Sequence, residues 1–165
     1  MKIIPFVLLL FMLGACSSKY GISKAKAYVQ ETVGGTVKVD HEGRPGSSGV
    51  SKRHLIYVET DSTRGMPEWE TVWVEKKPYG VRPVEVMNGQ VIGKDADGSD
   101  IRLTVKNGHK LWQLVLLPKT PDTVADPQLQ DKIETTLIVI TGTWKDKSFA
   151  YRIKEEHPMQ PLHFQ

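Results

Sequence analysis

The sequence predicts an all-β domain: an antiparallel β-sandwich, or a partly closed barrel, of about nine short strands with little helix. Short runs rich in β-branched and aromatic residues recur along the chain. Clusters of Gly, Pro, Asn and Asp separate these runs. None of the runs has the apolar period of an amphipathic helix. One domain is expected, since the chain has a usual single-domain length and no internal repeat.

The strands follow one another at short intervals. The first five are predicted at residues 24–33, 53–60, 69–76, 81–87 and 91–94. Pro83 has no backbone donor, so its strand is expected to be an edge strand or to be bulged. Asn88-Gly89 is a turn signal that leads into residues 91–94.

A hairpin is predicted over residues 101–117, where Asn107-Gly108 separates two alternating runs and favours a type I′ turn. In that register Leu103 faces Trp112 and Ile101 faces Leu114, which places all four side chains on one face of the hairpin.

A second hairpin is predicted around Lys145-Asp146, joining residues 133–144 to residues 147–153. Its register pairs Ile140 with Tyr151 and Ile138 with Ile153.

Three segments are predicted to lie outside the sheet. Residues 43–49 contain three glycines and one proline and are expected to form a loop. Residues 118–131 form a long connection with one helical turn, in which Asp126 caps Pro127. Residues 155–165 carry Pro158 and Pro161 and are expected to be a tail.

The N-terminus has the composition of an export signal. Lys2 supplies a positive charge, residues 3–13 are apolar apart from Pro5, and Gly14-Ala15 are small residues suited to cleavage. As a helix the apolar run would reach roughly 17 Å, whereas the hydrocarbon core of a bilayer is about 30 Å thick. The run is therefore predicted to be a processed signal.

The segment Leu13-Gly14-Ala15-Cys16 resembles the lipobox of bacterial lipoproteins. That resemblance implies cleavage before Cys16, three acyl chains on Cys16 and a permanent membrane anchor. The implied organisation is a signal at 1–15, an acylated Cys and tether at 16–23, one β domain at 24–154 and a tail at 155–165. Ser17 resembles the residue found in lipoproteins that are passed to the outer membrane. The expected location is the bacterial cell envelope, with the domain facing the periplasm or the cell surface.

The charges are balanced. The chain carries 22 Lys and Arg side chains, one of them in the signal, against 19 Asp and Glu side chains. They are interspersed, so neither a nucleic-acid-binding stripe nor a polybasic membrane patch is expected. Cys16 is the single cysteine, so the domain is expected to fold without a disulfide.

No constellation of residues identifies a reaction. Residues 95–100 hold three aspartates, but their spacing does not fit an EF-hand, and a tight turn is favoured over a calcium loop. The histidines lack metal-ligand spacing, and no cofactor is expected; they are His41, His54, His109, His157 and His163. No serine is marked as the nucleophile of a triad.

Trp69 and Trp73 are the candidate ligand-binding residues. Four positions apart on a strand, they are expected to share one face, while Val72 and Val74 point to the other. An exposed aromatic strip would suit a sugar ring or a peptide. The favoured interpretation is that the tryptophans belong to the core, or that the strand is covered on both sides.

The leading hypothesis is a lipid-anchored, non-catalytic binding or scaffold domain of the envelope. Its partner would be an envelope protein or a glycan. One alternative is a carbohydrate- or peptide-binding module that uses Trp69 and Trp73, and another is a hydrolase with a dispersed site. A third is an assembly subunit whose edge strand, at residues 81–87, pairs with a partner.

Overall fold

The computed structural model describes residues 20–34, 42, 50–119, 125 and 127–164. The predicted signal, the lipobox, the loop at 43–49 and Asp126 lie outside these residues. The elements are β1 (Ile22–Gly34), β2 (Val50–Asp61), β3 (Glu68–Val74), β4 (Lys77–Val86), β5 (Val91–Lys94), β6 (Asp100–Arg102), β7 (His109–Pro118), α1 (Pro127–Thr135), β8 (Ile138–Trp144), β9 (Lys147–Ile153), β10 (Glu156–Pro158) and β11 (Leu162–Phe164). The all-β prediction is confirmed.

One curled sheet forms the body, in the order β10-β1-β2-β7-β4-β3-β8-β9, with β11 also paired to β1. A separate two-stranded sheet contains β5 and β6. The curled sheet is half of a barrel, so the partly closed barrel describes the fold better than two stacked sheets do. The sheet is also mixed, because β10 and β11 run parallel to β1.

The concave face of the sheet holds the main core. Alternate residues of six strands point into it, and Tyr79 and Val81 of β4 pack against it. The core consists of Ile22, Ala27, Ile56, Val58, Val72, Val74, Leu114, Ile138, Ile140, Phe149 and Ile153. Tyr20 stacks on Phe149 with ring centroids 5.0 Å apart. This contact joins the start of β1 to the edge strand β9 and helps to hold the sheet in its curled form.

Two smaller elements cover parts of the convex face. The β5–β6 hairpin and the chain that follows it pack on Tyr28, Tyr57 and Leu111 through Leu103 and neighbouring aliphatic residues. Helix α1 packs Ile133 against Trp73 and Val139. The convex face is therefore buried in two separate places. No helix in the described part of the chain is long and apolar enough to cross a membrane.

The hairpin around Lys145-Asp146 is confirmed with its register. Ile140 pairs with Tyr151 and Ile138 with Ile153. Lys145 and Asp146 have φ values of 51° and 60°, the positive values that a type I′ turn requires. The predicted first arm was too long, however, because Ile133 belongs to α1 and β8 begins at Ile138.

The hairpin predicted over residues 101–117 is wrong. Lys106 accepts a hydrogen bond from the His109 amide at 3.0 Å, so the turn itself exists. Gly108 has a φ of 80° but Asn107 is not in the positive region, which excludes type I′. β6 pairs back with β5, and β7 pairs with β2 and β4.

The predicted tail is also wrong. β10 pairs with residues 27–29 of β1, and β11 pairs with Thr32–Gly34. Between these strands the Met159 amide donates to the Val29 carbonyl at 2.8 Å. The C-terminal segment therefore covers the outer edge of β1. Strands of three residues, one of which contains Pro158, carry almost no sequence pattern, so only the pairing partner reveals them.

Pro83 lies in a strand that is internal in one half and free in the other. β4 pairs with β7 from Tyr79 to Val86, but with β3 only from Lys77 to Gly80. The missing donor of Pro83 is tolerated because β4 has lost its second neighbour at that position. The prediction of an edge strand is thus confirmed for residues 81–86, which pair with β7 on one side only. The strand β4 as a whole nevertheless lies in the middle of the sheet order.

A β-bulge in β3 requires a glycine in β8. The β3–β8 register shifts between Trp69 and Thr71, so Glu70 is the extra residue. Gly142 pairs with Trp69 beside this bulge. A Cβ added to Gly142 would overlap the carbonyl oxygen of Glu68, which belongs to the backbone and cannot rotate away.

We expect Gly142→Ala to lower the free energy of unfolding by about 2 to 3 kcal/mol, because the added methyl group forces the bulge apart. Urea denaturation monitored by tryptophan fluorescence would measure the change. Gly80→Ala is the matched control, since its Cβ would lie 3.7 Å from the Leu117 Cβ, an ordinary contact. Equal stabilities of the two variants would contradict this assignment.

Candidate binding clefts

The strands β2 and β7 separate part of the way along their length. They pair from Asp61 and His109 as far as Ile56 and Leu114. Beyond that point β2 continues to Val50 beside β1, and β7 continues to Pro118 beside β4. The result is an opening, here called the β2–β7 fork, between residues 50–55 and residues 115–118.

The β2–β7 fork contains a cleft of about 220 Å³. Its inner end lies at Ile56 and Leu114, which are almost completely buried. Its walls include Arg53, His54, Tyr79, Gln113 and Val115. The cleft therefore has an apolar inner end and polar groups along its sides.

The two exposed cations of the fork have no described carboxylate partner. Lys52 and Arg53 lie on the β2 side and are solvent-exposed. No ion pair joins either of them to a carboxylate in the described residues. Arg53 begins the strand predicted at residues 53–60 and Lys52 precedes it, and neither was predicted to be a site residue. The adjacent basic side chains were visible in the sequence, but their position beside an opening depends on where β7 leaves β2.

His54 connects β2 to the C-terminal segment. Its Nδ1 lies 2.7 Å from Glu156 Oε1, and the two side chains are 11% and 8% exposed. The hydrogen bond to the Glu156 carboxylate raises the pKa of His54 above its usual value, against the opposing effect of burial. The pair spans β1 and fixes β10 to the sheet.

A second, smaller cleft of about 80 Å³ lies near the start of β1. Lys24, Lys26 and Tyr57 contribute to its lining, together with Glu59. Glu59 Oε1 lies 2.5 Å from Nδ1 of His109, and both side chains are largely buried. Because Glu59 is held by His109, the lysines give this cleft a positive character.

Trp69 and Trp73 do not form an exposed strip, which corrects the expectation that they share one face. The bulge at Glu70 turns Trp69 toward the main core, whereas Trp73 packs under α1. Trp73 is only 7% exposed. The strand is central and covered on both sides, as the favoured interpretation required. Ligand binding by these two residues stays a prediction.

The aspartates at residues 95–100 form the predicted tight turn between β5 and β6. The Asp95 carboxylate accepts hydrogen bonds from the amides of Asp97 and Ser99 at 3.0 and 2.9 Å. Gly98 has a φ of 86° and donates its amide to the Asp95 carbonyl. Within the described ranges, no group of three or more His, Cys, Asp or Glu residues is arranged to hold a metal ion.

The two buried histidines are paired with carboxylates and not with nucleophiles. His54 bonds to Glu156 and His109 to Glu59. Among the described residues, no hydrogen bond joins either ring to a serine or threonine hydroxyl. In the described residues, neither histidine is therefore bonded to a hydroxyl that could act as the nucleophile of a catalytic triad.

The His54–Glu156 pair predicts a pH dependence of stability. The pKa of His54 is raised in the folded state, so its contribution is fully present below about pH 6.5 and is lost as the pH rises through the folded-state pKa. We expect Glu156→Gln to cost about 1.5 to 3 kcal/mol at pH 6 and progressively less toward pH 9.

Urea denaturation at several pH values would measure this difference. Glu155→Gln is the matched control, since Glu155 is exposed and is expected to leave both stability and its pH profile unchanged. A constant difference between wild type and Glu156→Gln across the pH range would refute the assignment.

The chain has no significant match among protein-family models, curated proteins or solved structures. Its function is therefore inferred from its own residues and their geometry.

Proposed function

We propose that this protein is a lipid-anchored lipoprotein of the bacterial cell envelope whose β domain is a non-catalytic binding module. The observation that carries the proposal is the segment Leu13-Gly14-Ala15-Cys16 after an apolar run too short to span a bilayer. Three acyl chains on Cys16 would make membrane attachment effectively permanent. Ser17 supports delivery to the outer membrane.

The start of the domain supports a short tether. β1 begins at Ile22, which is fully buried, so Ile22 and Ser23 belong to the sheet and not to the predicted tether. Five residues lie between Cys16 and Ile22, so the two Cα atoms are at most about 22 Å apart. The beginning of β1 is therefore held close to the bilayer surface.

The β2–β7 fork supports the binding role. It lies beside residues 28–33 of β1, which are paired with residues 50–55 of β2. At about 3.3 Å per residue, this region is about 20 Å or more along β1 from Ile22. A site at that end of the sheet is accessible to a partner that approaches from the aqueous side. Among the described residues, the histidines of these pairs bond to carboxylates and not to a serine or threonine hydroxyl, and the proposed role is accordingly binding.

We expect Cys16→Ser to abolish incorporation of radiolabelled palmitate and to release the protein from the membrane fraction, because the variant has no sulfur for the thioether bond. Metabolic labelling and cell fractionation would measure both effects. Ser18→Ala is a suitable control, since it alters a neighbouring residue outside the lipobox. A Cys16→Ser variant that retains label and remains with the membranes would disprove the anchor.

We expect Ser17→Asp to move the protein from the outer to the inner membrane fraction, because an acidic residue after the lipidated cysteine resembles the retention signal of inner-membrane lipoproteins. Density-gradient separation of the two membranes would measure the distribution. Ser17→Ala should leave it unchanged. Identical distributions for all three proteins would contradict the proposed outer-membrane location.

A further inference from the structure

We propose that the β2–β7 fork accepts an extended acidic segment of a partner protein, which adds as a strand along residues 50–55 of β2. The inference rests on the proposed function and specifies the class of partner. It concerns backbone hydrogen bonding at an internal opening of the sheet, which is distinct from the membrane anchor.

The backbone of β2 supplies the binding edge. Residues 50–55 pair with β1 on one side, and no described strand pairs with them on the other. In an antiparallel ladder, alternate residues direct their amide and carbonyl groups to opposite neighbours. About half of the backbone groups of this segment therefore face the fork along about 20 Å of chain. Such groups require hydrogen-bond partners, and an added strand supplies them in register.

The shape of the fork favours an extended chain over a compact ligand. The cleft of about 220 Å³ is smaller than the roughly 300 to 1,000 Å³ of typical small-molecule sites. It widens from the point where Ile56 and Leu114 stop pairing, between two diverging strands. A strand can enter such an opening from its wide end and pair with β2.

The charges of the fork select the partner. Lys52 and Arg53 are exposed at its β2 side. Glu31 lies opposite Lys52 on β1, but no ion pair joins them among the described residues, and the carboxylate of Glu156 is already bonded to His54. Lys52 and Arg53 point to opposite faces of the sheet, so each is available to acidic side chains on its own face of an added strand. The same charges disfavour a second copy of this chain, because pairing two identical edges would bring like charges together.

The test uses the full-length lipidated protein in detergent micelles and a synthetic hexapeptide of alternating valine and glutamate. We expect the peptide to bind and to slow hydrogen exchange of those amides of residues 50–55 that face the fork. A peptide of alternating valine and lysine should bind at least tenfold more weakly, because its charges repel Lys52 and Arg53. An N-methylated glutamate peptide should also bind about tenfold more weakly, because it lacks backbone donors.

Two double variants separate the fork from general electrostatic attraction. Lys52→Glu/Arg53→Glu should weaken binding of the glutamate peptide by at least tenfold. Lys24→Glu/Lys26→Glu makes the same change in charge at the smaller cleft and should leave binding unchanged. Far-ultraviolet circular dichroism would verify that both variants are folded.

Several outcomes would overturn the proposal. Equal binding of the glutamate and lysine peptides would show that the fork does not select its partner by charge. Full affinity of the N-methylated peptide would show that binding does not use backbone hydrogen bonds of an added strand. Alternate amides of residues 50–55 donate to β1 and are expected to be protected in any case. If the amides that face the fork are also protected without peptide, the chain itself or a second copy covers the edge, and the concentration dependence would distinguish these two. Because peptide binding does not require the anchor, these results are independent of those for Cys16.

Discussion

The structure depends on which strands pair with the two edges of β2. Along its whole length β2 pairs with β1, and over its second half it also pairs with β7. The doubly paired half places Ile56 and Val58 in the main core, where they are completely buried. Among the described strands, none pairs with the other edge of the remaining half. One strand therefore both anchors the core and provides the opening that we interpret as a binding site.

Two buried carboxylate–histidine pairs connect this strand to distant parts of the chain. His54 reaches across β1 to Glu156, and Glu59 is bonded to His109 on the neighbouring strand. Alternation along β2 places His54 and Glu59 on opposite faces of the sheet. Burying a charge without a partner is costly, so each of these residues requires the other member of its pair. The pairs thereby stabilise one arrangement of strands in a protein whose single cysteine is proposed to carry lipid.

The parts of the fold that the sequence predicted are those that short-range interactions decide. The turn at Lys145-Asp146 determines the register of β8 and β9, because two residues leave a single way to pair the flanking strands. The turn at Asn107-Gly108 was equally clear, yet its preceding arm packs on the convex face as a covering segment. The alternation of Ile101 and Leu103 indicated that these side chains pack on one surface, and Leu103 is buried, but the pattern did not indicate which surface covers them.

By itself, the sequence determined the all-β class, the alternation of buried and exposed residues and the local turns, since these depend on residues a few positions apart. The tertiary structure alone decided that the C-terminal segment pairs with β1, that a bulge separates Trp69 from Trp73, and that β7 leaves β2 at Ile56. Each of these features depends on which strands become neighbours when the sheet curls around its core. That choice is made by the packing of side chains far apart in the chain, and it leaves no periodic signal in any one segment.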